Sequence, residues 1–225
     1  MPLRAEGISK EYYRPTETAS HFAAVKKTDI VLTEKSLTVL TGRSGSGKST
    51  VLYMLAGLLR PTTGTVFLDD SDLYTLNDSD ASRLRNRTIG IIPQGQTGIY
   101  ALSVLENVLL PALLFGRTET VERHARELLE RVGIASLADA RLQELSGGEL
   151  RRMAIARALV MQPRIVLADE PTDDLDDENT KLVLELLRRT ADAGAVVLLV
   201  THEASARLYA DSIYRMDGGV LTPQG

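Results

Sequence analysis

Nine consecutive residues, Gly42-Arg43-Ser44-Gly45-Ser46-Gly47-Lys48-Ser49-Thr50, fit the spacing G-x-x-x-x-G-K-[ST], and the chemistry this spacing serves is the holding of a polyphosphate. Glycines let backbone amides turn inward at a helix N-terminus, where the helix dipole favours an anion. Lys48 would reach the β- and γ-phosphates, and the Ser49 hydroxyl would ligate Mg²⁺. A Gly/Ser-rich linker reads the same in isolation. The flanks separate the two: Leu37-Thr38-Val39-Leu40 predicts a buried strand before the loop, and Val51 to Leu55 has helical spacing after it.

Four further places carry groups that could act on a phosphate. The apolar run Arg164 to Ala168 ends in Asp169-Glu170, an order that holds Mg²⁺ through the Asp and leaves the Glu beside the γ-phosphate, although buried strands also end in Asp for capping reasons. In Leu145-Ser146-Gly147-Gly148-Glu149, Ser146 is an N-cap candidate, and the glycines leave the amides of the helix start open to an anion. Gln94 closes the strand-like Ile89 to Pro93, where it could touch both a metal's water shell and a mobile neighbour or simply face solvent. Thr201-His202-Glu203 closes the β-branched run Ala195 to Val200. Tyr12 and Tyr13 end the first strand-like run; either could offer a flat ring to a base or pack as a half-buried strand tyrosine.

The elements that must position these groups read as an α/β chain. Residues 1 to 32 alternate around Ile8, Tyr12, Val25 and Ile30 with a polar loop near Arg14 to Ser20, which predicts an antiparallel β start. Thr65 to Leu68 is a strand, Asn77 to Arg87 a polar, basic helix, and Asp211 to Met216 a last strand closed by the turn Asp217-Gly218-Gly219. From Ala101 to Asp139 the pattern turns helical, with Val104, Leu105, Val108 and Leu109 and later Leu128, Leu129 and Val132 at i, i+3, i+4 spacing. The segment Leu109, Leu110, Leu113, Leu114 and Phe115 is apolar all round, which predicts either burial or a docking surface. Acids from Asp173 to Glu178 lead into a helix from Asn179, whose first turn they favour.

At 225 residues, 44% hydrophobic and 25% charged, the chain suits one large globular unit, and its net charge of -4 argues against a nucleic-acid surface. It has no cysteine, which removes disulfides and thiolate chemistry. No stretch reaches the ~20 apolar residues that span a bilayer, and residues 1 to 6 lack a signal-peptide core.

Taken in order, the glycine loop, Gln94, Leu-Ser-Gly-Gly-Glu at 145–149, Asp169-Glu170, the acidic loop and His202 resemble the nucleotide-binding subunit of ATP-binding cassette (ABC) transporters over essentially the whole chain. The Leu-Ser-Gly-Gly-Glu element separates this family from kinases and GTPases that share the phosphate loop. Val166-Leu167-Ala168-Asp169-Glu170-Pro171-Thr172 and the short length look most like the branch serving macrolide and peptide efflux, lipoprotein release and haem export. The resemblance implies an α/β P-loop NTPase core with an antiparallel β subdomain (residues 1–94 and 162–225) and an inserted helical subdomain at 95–161 that carries the signature. It implies ATP and Mg²⁺ as ligands, with Tyr12 stacking on adenine (Tyr13 being the alternative), residues 42 to 50 on the phosphates, and Ser49, Gln94 and Asp169 on the metal side. Glu170 would be the general base, Lys48 and His202 would serve the γ-phosphate, and Gln94 would also sense the permease. Ser146, Gly147 and Gly148 would touch the nucleotide of a second copy, with Asp176 in the inter-subunit loop. The implied partners are integral-membrane permease subunits and a second copy of the chain, the implied place the cytoplasmic face of the membrane, and the implied work the export or extraction of a hydrophobic or amphipathic compound. A module that regulates a membrane partner without transport is the alternative.

Two residues depart from the pattern: Glu149 stands where many relatives have Gln, and Asp173 where a small residue is common. Both add negative charge near the expected seam between copies, which predicts weaker pairing without nucleotide.

Overall fold

The computed structural model describes residues 3–14, 20–95, 97–114 and 118–224. The alternating N-terminal runs fold into β1 (Leu3–Arg14) and β2 (Ser20–Leu32), antiparallel, with Leu3 opposite Leu32 and Tyr12 opposite Phe22. β4 (Thr63–Leu68) joins the other edge of β1, and β5 (Ser71–Asp72) extends it, giving a four-stranded antiparallel sheet. Ala5, Ile8, Val25, Ile30 and Val66 turn to its buried face.

The second sheet has six strands in the order β10-β9-β3-β8-β7-β6. β3 (Ser36–Gly42), β6 (Ile89–Ile92), β7 (Ile165–Asp169), β8 (Val196–Val200) and β9 (Ser212–Asp217) run parallel, and β10 (Val220–Gln224) lies antiparallel at the edge. The central strands are buried on both faces, as parallel sheets demand, and their alternate residues feed two cores. Val39, Val166, Ala168, Val197 and Leu199 pack towards α3 (Val104–Leu113), α4 (Thr118–Arg131), α5 (Gly147–Leu159) and α6 (Asp177–Asp192). Leu40, Ile165, Leu167, Leu198 and Val200 pack on the other side against α1 (Lys48–Leu55) and the antiparallel sheet. α2 (Asp78–Thr88) buries none of its residues.

The chain does not stop at the strand ending near Met216. After the turn it doubles back as β10, with Pro223 opposite Tyr214. An edge strand tolerates the missing proline N–H because one of its sides has no neighbour to bond. Residues 204–209 form a short 3₁₀ turn after His202.

The parallel strands β3, β7 and β8 end together, in register: Leu40 pairs with Val200, and Asp169 with Val200. Ligands in open α/β sheets bind outside the carboxyl ends of such strands. The glycine loop, the Asp169-Glu170 pair and Thr201-His202 all leave from that edge.

Candidate functional site

At this edge lies a cavity of about 700 Å³, lined by Tyr12, Gly42, Arg43, Ser44, Gly45, Gly47, Lys48, Ser49, Thr50, Gln94, Asp169, Glu170 and His202. Phe22, Ala24 and Asp173, not singled out for this cavity from the sequence, line it too. Ser46 is buried without a hydrogen-bond partner for its hydroxyl among the described residues.

The loop's shape depends on glycine at two points. A Cβ on Gly47, whose φ is 109°, would stand 2.3 Å from the Ala24 carbonyl oxygen, and one on Gly42 would stand 2.3 Å from that of Met216. Only bare backbone fits against these neighbours. α1 then begins at Lys48, and the lysine folds back so that Nζ donates to the carbonyls of Gly42 (2.8 Å) and Arg43 (3.2 Å). A buried ammonium held across the mouth of a glycine loop with one proton to spare is placed to meet a polyanion.

Asp169 closes β7 with no exposed surface, and neither carboxylate oxygen has a hydrogen-bond partner among the described residues. Burial pushes its carboxyl above the ordinary range; Ser49 and Lys48 pull it back in part. Ser49 is near enough to favour the charged form but makes no hydrogen bond within normal geometry, so the two oxygens remain bare. A buried, unpartnered carboxylate is costly unless a cation completes it. Asp169, Ser49 and Gln94, oxygen donors around one cavity, fit a hard divalent cation such as Mg²⁺.

Glu170 follows in a left-handed conformation, φ 48°, that side-chain-bearing residues rarely adopt. Its amide donates to Val200 O at 2.8 Å, so the strained turn is tied to β8. One oxygen, Oε2, accepts both the His202 amide (3.2 Å) and His202 Nδ1 (3.1 Å). A carboxylate only accepts, so the ring proton sits on Nδ1. Oε1 is left for another donor. Burial raises the Glu170 carboxyl above the ordinary range, His202 opposes this, and Asp173 adds to it.

Gln94 is exposed just past β6, and its turn is held from the side. Arg151 of α5, almost wholly buried, donates from Nη1 to Pro93 O (3.0 Å) and Gly95 O (3.1 Å), the carbonyls on either side of Gln94. Nothing in the sequence marks Arg151, one of two adjacent arginines in a helix. Asn107, fully buried, likewise gathers Ile99 and the carbonyls of Leu102 and Ser103 at the head of α3.

Ser146, Gly147, Gly148 and Asp176 do not line the cavity. Ser146 caps α5 by a reciprocal box: its amide and hydroxyl donate to Glu149 Oε2, each at 2.7 Å, while its oxygen accepts from the Glu149 amide at 3.4 Å. The departure at 149 thus keeps a capping role. Asp176 caps α6 through Asn179, whose amide donates at 2.8 Å, and Arg152 of α5 reaches Asn179 Oδ1, so the two helix starts are joined. These groups form a second surface apart from the cavity.

Comparison with known proteins matches residues 25–173 to the ABC transporter family model. The lipoprotein-releasing system ATP-binding protein LolD of Leptospira interrogans is 36% identical over 224 residues, covering 99% of this chain and 94% of that protein. LolD of Shewanella sp. (strain MR-7) is 37% identical over 221 residues, covering 97% and 94%. Among solved structures, the dimeric ATP-binding cassette MJ0796 bound to ADP and Pi in a post-hydrolysis state superposes with a TM-score of 0.90 at 30% identity, covering each chain completely.

Proposed function

This chain belongs to the ABC transporter family, as an ATPase built on the α/β P-loop fold, and on that premise we propose that two copies close head to tail around ATP to drive a separate membrane permease. The observation that carries the proposal is a division: the cavity gathers the glycine loop, Asp169, Glu170 and His202, while the Ser146-Gly147-Gly148 helix start stands outside it. In this reading the helix start of one copy serves the γ-phosphate of the other, and Asp176 lies at the seam. The dimeric state of a cassette with the same fold supports it.

Phosphoryl transfer asks mainly for positioning and charge neutralisation. The amides of residues 43 to 50 and the Lys48 ammonium hold the phosphates, and Tyr12, 41% exposed at the cavity wall, offers its ring to the base. Asp169, Ser49 and Gln94 would hold Mg²⁺, which would supply positive charge against the phosphates. His202 fixes Glu170 through Oε2, leaving Oε1 to orient water and take its proton. A carboxyl raised by burial is a better base than an ordinary one.

The cargo follows the relatives' name: a lipoprotein or another amphipathic compound, selected by the permease. No helix among the described residues is long and apolar enough to cross a membrane, so this chain would reach the bilayer's cytoplasmic face through that partner. Its docking surface is the exposed end of α3, where Leu113 stands 49% exposed and Leu114, 75% exposed, lines a groove with Pro111 and Leu58. Phe115, which the sequence adds to this patch, lies outside the described residues.

Steady-state hydrolysis of Glu170→Gln tests the chemistry. Turnover should fall by about 10²- to 10⁴-fold, the usual worth of a general base, with ATP binding retained. Hydrolysis near the parent rate would contradict the role given to Glu170.

A further inference from the structure

Asp173 lines the cavity beside His202, and this placement gives its carboxylate a use. A turn holds it: its amide donates to Glu170 O at 3.3 Å, and Leu175 N donates to Thr172 O at 3.2 Å. Its carboxylate accepts no hydrogen bond among the described residues, yet Oδ1 stands 4.0 Å from His202 Nδ1, the atom that lies 3.1 Å from Glu170 Oε2. One ligand atom each from Glu170, Asp173 and His202 falls within 4.8 Å of the others. The ring nitrogen therefore faces two carboxylates, one engaged and one waiting.

We propose that Asp173 is a positioning residue that offers His202 Nδ1–H a second acceptor, keeping the imidazole beside the cavity whenever its contact with Glu170 Oε2 opens. The inference rests on the roles given above to Glu170 and His202. With a single acceptor, a ring that is 69% exposed would lose its hold each time the Glu170 side chain moved. A small residue at 173 leaves only that single acceptor. Asp173 adds another about an ångström further off, on a turn that shares its backbone hydrogen bond with Glu170, so the imidazole keeps an acceptor within reach when the Glu170 side chain moves. The Nδ1–H tautomer is favoured at both, because each partner can only accept.

The test combines ATP hydrolysis by Asp173→Gly and Asp173→Asn, each alone and with His202→Ala, with ¹⁵N spectra of the imidazoles, of which the chain has three. Asp173→Gly should lower kcat about 3- to 10-fold, the rate equivalent of one ordinary intramolecular hydrogen bond, with KM for ATP unchanged. Asp173→Asn, which keeps an acceptor without the charge, should fall between. In the His202→Ala background neither change should cost anything more, and Asp173→Gly should reduce the Nδ1–H population of His202. An equal loss in both backgrounds, or unchanged kcat with an unchanged spectrum, would overturn the inference while leaving the ATPase reading intact. Parent-like turnover by His202→Ala would instead sink the role of His202 itself, and this inference with it.

Discussion

Asp169 shows what the site costs the fold. Its carboxyl is raised by burial, so the unfolded chain gives up that proton at lower pH than the folded one. The stability it contributes is full below the ordinary value of 3.8 and is lost as pH rises through the elevated value. At neutral pH, without metal or nucleotide, the chain therefore carries a bare buried charge. Asp169→Asn should raise the Tm of the nucleotide-free protein at pH 7, by roughly 2–4 °C for each kcal/mol recovered in a protein of this size, while removing metal-dependent hydrolysis. The gain should shrink as the pH is lowered towards 4. A fall in Tm at pH 7, seen by calorimetry, would show that the carboxylate is satisfied in some other way. Single residues of this kind were legible in the sequence because their motif order is local. Arg151 was not, since its work on the carbonyls of Pro93 and Gly95 joins residues more than fifty positions apart. Nor was the nearness of Asp173 to His202, which depends on two strand ends being neighbours.

Among the elements, α3 carries two surfaces. Val104, Val108 and Leu109 are buried in the core it shares with α4 and α5, and Leu113 and Leu114 are exposed beyond it. The apolar run alone left burial and docking open, and the structure buries Leu109 while leaving Leu113 and Leu114 exposed. Leu114→Glu should change stability by less than about 0.5 kcal/mol, as surface changes do, and leave ATP binding in place while abolishing co-purification with the permease. Undiminished assembly of the complex would move the docking surface elsewhere. The cap at Ser146 was legible because caps are short-range, and it receives the amide expected of it, whereas the caps at Asn77, Ser103 and Asp176 came to light only in the structure. β10 was not, since Leu221, Thr222 and Pro223 carry little strand signal and the strand exists by lying against β9.

For the whole molecule, a strand-loop-helix unit and Val/Ile/Leu-rich runs told of an α/β core, but the order of its strands could not be read from the chain. β3 lies between β8 and β9, partners that follow it by more than 150 residues, and only that order gathers the glycine loop, Asp169 and His202 at one edge. The same order leaves the Ser146 helix start on another surface, which is why a second copy enters the account. The most direct measurement is the mass in solution, by light scattering, of Glu170→Gln loaded with ATP and magnesium. The account predicts twice the monomer mass with two nucleotides per pair, and monomer mass again when Ser146→Arg is added, although each chain still binds ATP. An ATP-loaded Glu170→Gln chain that stays at monomer mass, or a pair that survives Ser146→Arg unchanged, would contradict it.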